Sequence, residues 1–259
     1  MNSNCEILGI IQARMGSQRL PGKTLLKIKD QPLIKYCYTG ALKSKRVGKW
    51  VIATSINVEN DPLQQFCELN NIPCFRGSEK DVLDRFYQCA KKYIPKIIVR
   101  ITGDCPFTDS NIIDRSIEYF LMNNFDVIIN TWFYNSYPSG FDVEVFTFET
   151  LEKQWKEEDN MATREHVINT LRNKRFRVGR FVDIKKDFIS NLKFDFNQLH
   201  LSVDTINDFL LIEEIIIRLG EKEPTFENII EIINSDPEIL KINFSEDLMQ
   251  KIKQNKNIL

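Results

Sequence analysis

No two cysteines of this chain form a Cys-x-x-Cys pair. The six, Cys5, Cys37, Cys67, Cys74, Cys89 and Cys105, are scattered. That spacing argues against a zinc cage and a disulfide framework, and leaves most of them as small core residues. An excess of charge is also missing: 35 Lys and Arg stand against 36 Asp and Glu, a net −1, so no general field draws nucleic acid or an anionic membrane. No apolar run approaches the length of a membrane span, and Met1-Asn2-Ser3-Asn4 has neither the basic nor the apolar region of a signal peptide. The expectation is a cytoplasmic protein with no nucleic-acid or membrane partner. Its 259 residues suffice for one large α/β domain or two small ones.

Short apolar strands alternate with amphipathic helices through the first half, as in a mostly parallel sheet covered on both faces. After an opening strand, Pro32 fits the first turn of a helix running to about Lys45. Strands are expected at 50–54, 73–76, 97–102 and 127–131, with helices at 61–70, 80–93 and 110–124. Within the helix at 80–93, Val82, Leu83, Phe86, Cys89 and Ala90 share one face. The second half changes character. Tyr137-Pro138-Ser139-Gly140 reads as a turn and 141–146 as an antiparallel strand. Residues 164–173 look helical, 176–182 and 193–203 look like strands, and from Asn207 the chain is mostly helical. No repeat or low-complexity linker interrupts it, so the simplest organisation is a single domain, 1–259, with a small inserted α+β lobe at about 132–190.

The most informative stretch is Gly9-Ile-Ile-Gln-Ala-Arg-Met-Gly-Ser-Gln-Arg-Leu-Pro-Gly-Lys23, an apolar strand running into a loop with two Gly, one Ser and three cations. Gly16 and Gly22 allow main-chain N–H groups to turn toward phosphate oxygens, and Arg14, Arg19 and Lys23 add side-chain charge. This is not a Walker A loop, which places four residues between its first Gly and Gly-Lys-Thr. Here five intervene between Gly16 and Gly22, one of them Pro21. A polyphosphate cradle is expected, but not that of a P-loop ATPase or GTPase.

In open sheets of this kind ligands sit outside the carboxyl ends of the strands. Two further segments lie at such ends: Arg76-Gly77-Ser78 and Gly103-Asp104-Cys105-Pro106. Asp204, in Val203-Asp204-Thr205, follows a strand-like run as well. Singly, Asp104 reads equally well as a turn aspartate and Asp204 as a helix cap. Together with a phosphate cradle they outline a nucleotidyl-transfer site, because magnesium on a nucleoside triphosphate uses one or two carboxylates and takes its other oxygens from phosphate.

The same residues carry a resemblance. The strand and phosphate loop, Phe75-Arg-Gly-Ser-Glu-Lys-Asp-Val-Leu-Asp-Arg-Phe86, Val99-Arg-Ile-Thr-Gly-Asp-Cys-Pro106, Gly140-Phe-Asp-Val-Glu-Val-Phe146, Arg164-Glu-His-Val167 and Val203-Asp-Thr205 resemble the spore-coat polysaccharide type of cytidylyltransferase. That group is similar to the CMP-ulosonic acid synthetases for 3-deoxy-manno-octulosonate and neuraminate. The matches run in order from residue 7 to about 215. The resemblance implies a Rossmann-like nucleotidyltransferase fold, with CMP joined from CTP to a sugar-type acceptor and pyrophosphate released. It also implies a lobe for acceptor binding and dimerisation, allowing a homodimer.

By position, the resemblance gives Arg14, Gly16, Ser17, Arg19 and Lys23 to the triphosphate and the backbone of Ala13 to the nucleotide. Arg76, Gly77, Ser78, Asp81 and Arg85 go to the base pocket, and Asp104 and Asp204 to Mg2+. Arg14 and Lys23 stand nearest the leaving pyrophosphate, so that Arg14, Lys23, Asp104 and Asp204 form the catalytic set. On the acceptor side are Tyr137, Asp142, Glu144, Arg164, Glu165 and His166, in a form that departs from the ulosonic acid enzymes. Arg164 suits a carboxylate or a phosphate equally, and His166 could orient either. Alternatively Arg164 and Glu165 open an exposed helix, and Asp142 and Glu144, sharing a strand face, pair with Arg164. His200 reads as a structural strand residue. Phe86 and Phe120 fit core positions. Rival readings are a sugar-1-phosphate nucleotidyltransferase using another nucleotide, a glycosyltransferase of similar fold, and a non-catalytic nucleotide-binding protein. A glycosyltransferase is expected to carry an Asp-x-Asp metal motif, and the first half has none.

Overall fold

The computed structural model describes residues 6–167 and 175–244. Cys5 and residues 168–173 of the helix expected at 164–173 lie outside the described residues. In chain order the strands are β1 (Ile7–Gln12), β2 (Lys27–Ile28), β3 (Gln31–Pro32), β4 (Lys49–Ser55), β5 (Cys74–Gly77), β6 (Ile97–Thr102), β7 (Val127–Ile129), β8 (Glu144–Thr147) and β9 (Val178–Arg180). The helices are α1 (Leu33–Leu42), α2 (Asp61–Leu69), α3 (Val82–Tyr93), α4 (Ser110–Met122), α5 (Phe148–Glu157), α6 (Met161–Arg164), α7 (Lys186–Ser190), α8 (Ile206–Leu219) and α9 (Phe226–Ser235).

Seven strands form one sheet in the order β5-β4-β1-β6-β8-β7-β9, and β2 pairs with β3 in a separate hairpin. β5, β4, β1 and β6 are mutually parallel, β8 runs antiparallel to both neighbours, and β9 is parallel to β7. The near-continuous apolar character of the central strands follows from their being covered on both faces. Ile11, Ile52, Val99 and Ile101 pack into a core with α1, α2, α4, α8 and α9. Leu8, Ile10, Val51, Ala53 and Ile98 point the other way, onto α3 and α5. The expected antiparallel strand is present as β8, although it begins at Glu144, so Asp142 precedes it instead of sharing its face. The span 132–190 contributes β8 and β9 to the central sheet.

Two readings of the second half are corrected. The expected strand at 193–203 is a 3-10 turn at Phe196–Gln198 followed by a single bridge between Ser139 and His200. Asp195 caps that turn by accepting from Asn197 N at 3.0 Å, a local bond that draws the chain away from a ladder. Helix α5 stands where no helix was expected. Thr147 caps it, accepting from Thr150 N at 3.0 Å, and Trp155 stacks on Tyr87 of α3 with centroids 4.2 Å apart. Cys37, Cys67, Cys89 and Cys105 are buried free thiols and Cys74 is half-buried. Phe86 and Phe120 are buried. Among the described residues no helix is long and apolar enough to cross a membrane.

Candidate active site

The loop leaving β1 is pinned from beneath. Met15 N donates to Asn60 Oδ1 at 2.9 Å, and Thr54 Oγ1 holds the same fully buried amide at 3.1 Å. Ser17 N and Gly22 N both donate to Met15 O, at 2.9 and 3.0 Å, while Thr24 Oγ1 donates to Arg14 O at 2.8 Å. Gly22 makes the turn at φ +75°, the left-handed region that a side chain disfavours. Ala13, Arg14, Ser17, Arg19 and Lys23 thereby line a pocket of ≈ 510 Å³ together with Gln12, Gln18, Thr24, Thr102, Gly103, Asp104, Glu165 and Asp204. Gly16 belongs to the loop but not to that lining.

Two carboxylates converge on one ammonium in this pocket. Lys23 Nζ donates to Asp104 Oδ2 at 2.8 Å, to Asp204 Oδ1 at 3.2 Å and to Val203 O at 2.5 Å. Burial works against the charged lysine, but the two carboxylates outweigh it and raise its pKa above the ordinary value. Arg19 reaches Asp204 Oδ1 at 2.9 Å, and His200 Nε2 stands 3.6 Å from Asp204 Oδ2. Burial alone would raise the Asp204 pKa. The neighbouring His200 ring and the charges of Lys23 and Arg19 instead hold it well below the usual carboxylate range. The cap of α8 is Thr205, boxed with Asp208, which relieves Asp204 of that duty. Val203 N donates to Asp104 O at 2.9 Å and fixes the turn after β6 beside the segment that leads into α8.

These two aspartates fit a hard divalent cation. Their oxygens already meet at a single positive point, and among the described residues no group of three or more His, Cys, Asp or Glu is arranged as a metal site. An ion held here would therefore complete its shell with phosphate and water, as magnesium does on nucleotides.

At the end of β5 the backbone and side chains part ways. Arg76 turns back to donate to Ser55 O at 2.9 Å, Asp61 Oδ1 at 2.7 Å, Gln64 Oε1 at 2.6 Å and Asn57 O at 2.8 Å. Its guanidinium thus ties β5 to α2, and residues 76–78 are not part of the pocket lining. Asp81 caps α3 through Asp84 N at 2.8 Å, and Ser78 Oγ accepts from Asp81 N at 3.0 Å. Arg85 is fully buried under Gly77 and donates to Ser78 O, and burial pushes its pKa down to about 10. Arg14 points toward this side, donating to Glu79 at 2.9 Å, with Glu165 at 3.6 Å.

The residues expected on the acceptor side are not gathered in one place. Arg164 is buried and spent on Asp81 Oδ2 at 2.9 Å, Trp155 O at 3.0 Å and Glu158 O at 2.6 Å, a position that fastens α6 to α3 and α5. Tyr137 is buried among Phe181 and Phe226 and donates to Asp183. His166 is exposed at the end of α6. Asp142 does approach the pocket acids: Cys105 Sγ lies 3.8 Å from Asp104 Oδ1 and 3.9 Å from Asp142 Oδ2. Thr131 Oγ1 and Gly140 N hold Asp142 at 2.9 and 2.8 Å, and burial raises its pKa. Glu144 pairs with Arg100 at 2.6 Å instead of Arg164, its pKa likewise raised by burial. Sequence reasoning missed Gln12, Thr102, Asn60, Glu79 and Arg100, and dismissed His200, whose side chain borders Asp204. Gln12 carried a local signal, as the polar residue that ends an apolar strand, and Glu79, Arg100 and Thr102 stand inside the motif segments at 75–86 and 99–106.

Comparison with known proteins accords with this geometry. A family model described as cytidylyltransferase matches residues 8–258. An uncharacterized protein of Methanocaldococcus jannaschii is 37% identical over 92% of this chain and 94% of its own. The spore coat polysaccharide biosynthesis protein SpsF of Bacillus subtilis is 31% identical over 90% and 96%. The 3-deoxy-manno-octulosonate cytidylyltransferase of Chlamydia pneumoniae is 35% identical over 45% and 46%. Among solved structures, a cytidylyltransferase from Leptospira borgpetersenii superposes with TM-score 0.83 at 30% identity, covering 93% of this chain and 98% of that one. Two more distant structures share the fold. One is a CMP:2-keto-3-deoxy-manno-octonic acid synthetase complexed with CTP, with TM-score 0.59, 16% identity and coverage of 82% and 99%. The other is Rv0371c of Mycobacterium tuberculosis complexed with manganese, with TM-score 0.56, 13% identity and coverage of 81% and 98%.

Proposed function

The chain belongs to the cytidylyltransferase family, and we propose that it transfers CMP from CTP to a sugar-type acceptor, releasing pyrophosphate and making an activated precursor for surface polysaccharide. The observation that carries this reading is the convergence of Lys23, Asp104 and Asp204 at the mouth of the β1 loop. Arg14, Ser17, Arg19 and Lys23 are assigned to the triphosphate. Arg19 and Arg14 have side chains 56% and 39% exposed, so both can exchange their carboxylate partners for phosphate oxygens. The backbone of 76–78 is assigned to the cytosine edge. Asp104 and Asp204 are assigned to Mg2+, which would neutralise phosphate charge and orient the α-phosphate.

Phosphoryl transfer needs positioning and charge neutralisation more than a protein nucleophile. The acceptor oxygen attacks the α-phosphorus, and the bond from that phosphorus to the leaving pyrophosphate breaks. Lys23 and Arg14 stabilise the charge that develops on pyrophosphate. Asp142, which reaches Asp104 through the Cys105 thiol behind the pocket lining, is assigned to the acceptor side. Pyrophosphate release measured across CTP, UTP, ATP and GTP, each with 3-deoxy-manno-octulosonate, N-acetylneuraminate and a set of sugar phosphates, tests the reading. Turnover should require CTP and one acceptor class. Turnover with another nucleotide and a sugar 1-phosphate would replace it.

A further inference from the structure

Gln12 ends β1 and lines the pocket. Its amide can face only one way. Arg100 donates to Gln12 Oε1 through Nε at 3.2 Å and through Nη2 at 2.8 Å. A guanidinium carries donors and no acceptor, so the atom it meets must be the amide oxygen. Arg100 is itself fixed, its Nη1 donating to Glu144 Oε1 at 2.6 Å and its guanidinium lying 5.8 Å from the Phe86 ring centroid. The Arg100 and Glu144 side chains are 13% and 18% exposed, so this chain of bonds sits behind the pocket wall. The other edge of the Gln12 amide carries Nε2, which has no partner among the described residues.

The chain Gln12–Arg100–Glu144 leans from β1 across β6 toward β8, away from β4 and β5, where the base loop lies. It also presents no net charge: the Arg100 fork is consumed by Gln12 and Glu144, and what reaches the pocket is a neutral N–H donor. Arg164 and Tyr137, which would have supplied acceptor contacts, are engaged elsewhere. We propose that Gln12 is a specificity residue on the acceptor side, donating from Nε2 to an uncharged oxygen of the acceptor, of the kind a sugar hydroxyl presents, with Arg100 and Glu144 as its positioning residues. This rests on the transferase reading above and adds the chemistry of one contact.

The test compares Gln12→Ala, Gln12→Glu and Glu144→Gln with wild type, using the acceptor that supports fastest pyrophosphate release in the panel described above. Gln12→Ala should raise the acceptor KM about tenfold, the effect of one lost hydrogen bond, and leave the KM for CTP within about twofold. Gln12→Glu should raise it further, because a carboxylate not only lacks the donor but sets an acceptor oxygen against the oxygen that Gln12 Nε2 would have met. Glu144→Gln should show the same split in weaker form, since it loosens Arg100 without touching the pocket. Calorimetric titration with CTP alone separates this claim from the transferase reading. Unchanged CTP affinity in Gln12→Ala is the expected result, and a tenfold loss would reassign Gln12 to the nucleotide and overturn the proposal. An unchanged acceptor KM in both Gln12 variants would overturn it too. A wild type that binds CTP but is inactive with every acceptor would instead overturn the transferase reading, and this contact with it, a result distinct from the two that overturn the Gln12 assignment alone.

Discussion

Lys23 Nζ and Asp104 Oδ2 lie 2.8 Å apart although 81 positions separate them in sequence, and Asp204 joins the same ammonium at 3.2 Å. Each of the three groups is tolerable in a half-buried pocket only because the others are present. The loop after β1, the turn after β6 and the lead into α8 are therefore held together by charge before any ligand arrives.

Removing the cation should expose that dependence. With Lys23→Ala, Asp104 and Asp204 face one another with Arg19 and His200, both on the Asp204 side, left to compensate, and folding stability in chelator should fall by about 3–5 kcal/mol. Millimolar Mg2+ or Mn2+ should restore much of the melting temperature. Turnover should stay down by a factor of roughly 100 to 1000, the scale of losing one electrostatic donor to the transition state. A variant as stable as wild type in chelator would contradict the cluster's role.

The Asp204 carboxyl makes a prediction about pH. Its folded pKa lies below the ordinary carboxylate value, so the stability it contributes is present above the unfolded pKa near ~4 and is lost as pH falls through the depressed folded value. Asp204→Asn should therefore be less stable than wild type at neutral pH in the absence of metal, with the gap closing as pH drops below about 4. Urea melts over that pH range measure it. A gap that widened on acidification would show that the sign is wrong.

Gly140 sits at φ +111°, and a Cβ there would lie 2.6 Å from the Leu201 carbonyl. That approach lets Ser139 and Ser202 share a 2.8 Å hydroxyl contact and lets Gly140 N hold Asp142. Gly140→Ala should cost on the order of 1–3 kcal/mol of stability through backbone strain and, by moving Asp142, raise the acceptor KM more than that for CTP. Thermal melts and steady-state kinetics on one preparation check both. A neutral Gly140→Ala would mean that the close approach is not needed.

Base selectivity is expected to come from backbone, since Arg76 is occupied by Ser55, Asn57, Asp61 and Gln64. Cytosine offers an amino donor where uracil has a carbonyl, and a buried partner left unpaired costs about 1–3 kcal/mol. CTP should accordingly be preferred to UTP by roughly 5- to 150-fold in kcat/KM, and Arg76→Lys should change stability more than that ratio. Equal use of the two nucleotides would remove the base assignment.

The parallel half of the sheet was legible in the sequence because its strands are continuous apolar runs separated by helices with strong faces, as at 82–90. The placing of the β1 loop and of Asp104 was legible too, since each follows a strand, whereas Asp204 was reached through an expected strand at 193–203 that the structure does not contain. The neighbours of Arg164 and Tyr137 were not legible. Arg164 finds Asp81 across 83 positions and Tyr137 finds Asp183 across 46, and residue type alone cannot distinguish an arginine that clamps a substrate from one that closes a helix end. The strand character around His200 gives way at Asp195 and Phe196 to a 3-10 segment, which conceals its place beside Asp204. Helix α5 has a local cap in Thr147, but the partner of its Trp155, Tyr87 of α3, is brought to it only in three dimensions.

The central claim, that the pocket joins CMP to an acceptor, is tested most directly with CTP labelled at the α-phosphate. The account predicts label in an acceptor-linked CMP product, one pyrophosphate released per product, and loss of both in Asp104→Asn. Label that stayed in CTP, or appeared as free CMP regardless of acceptor, would contradict it.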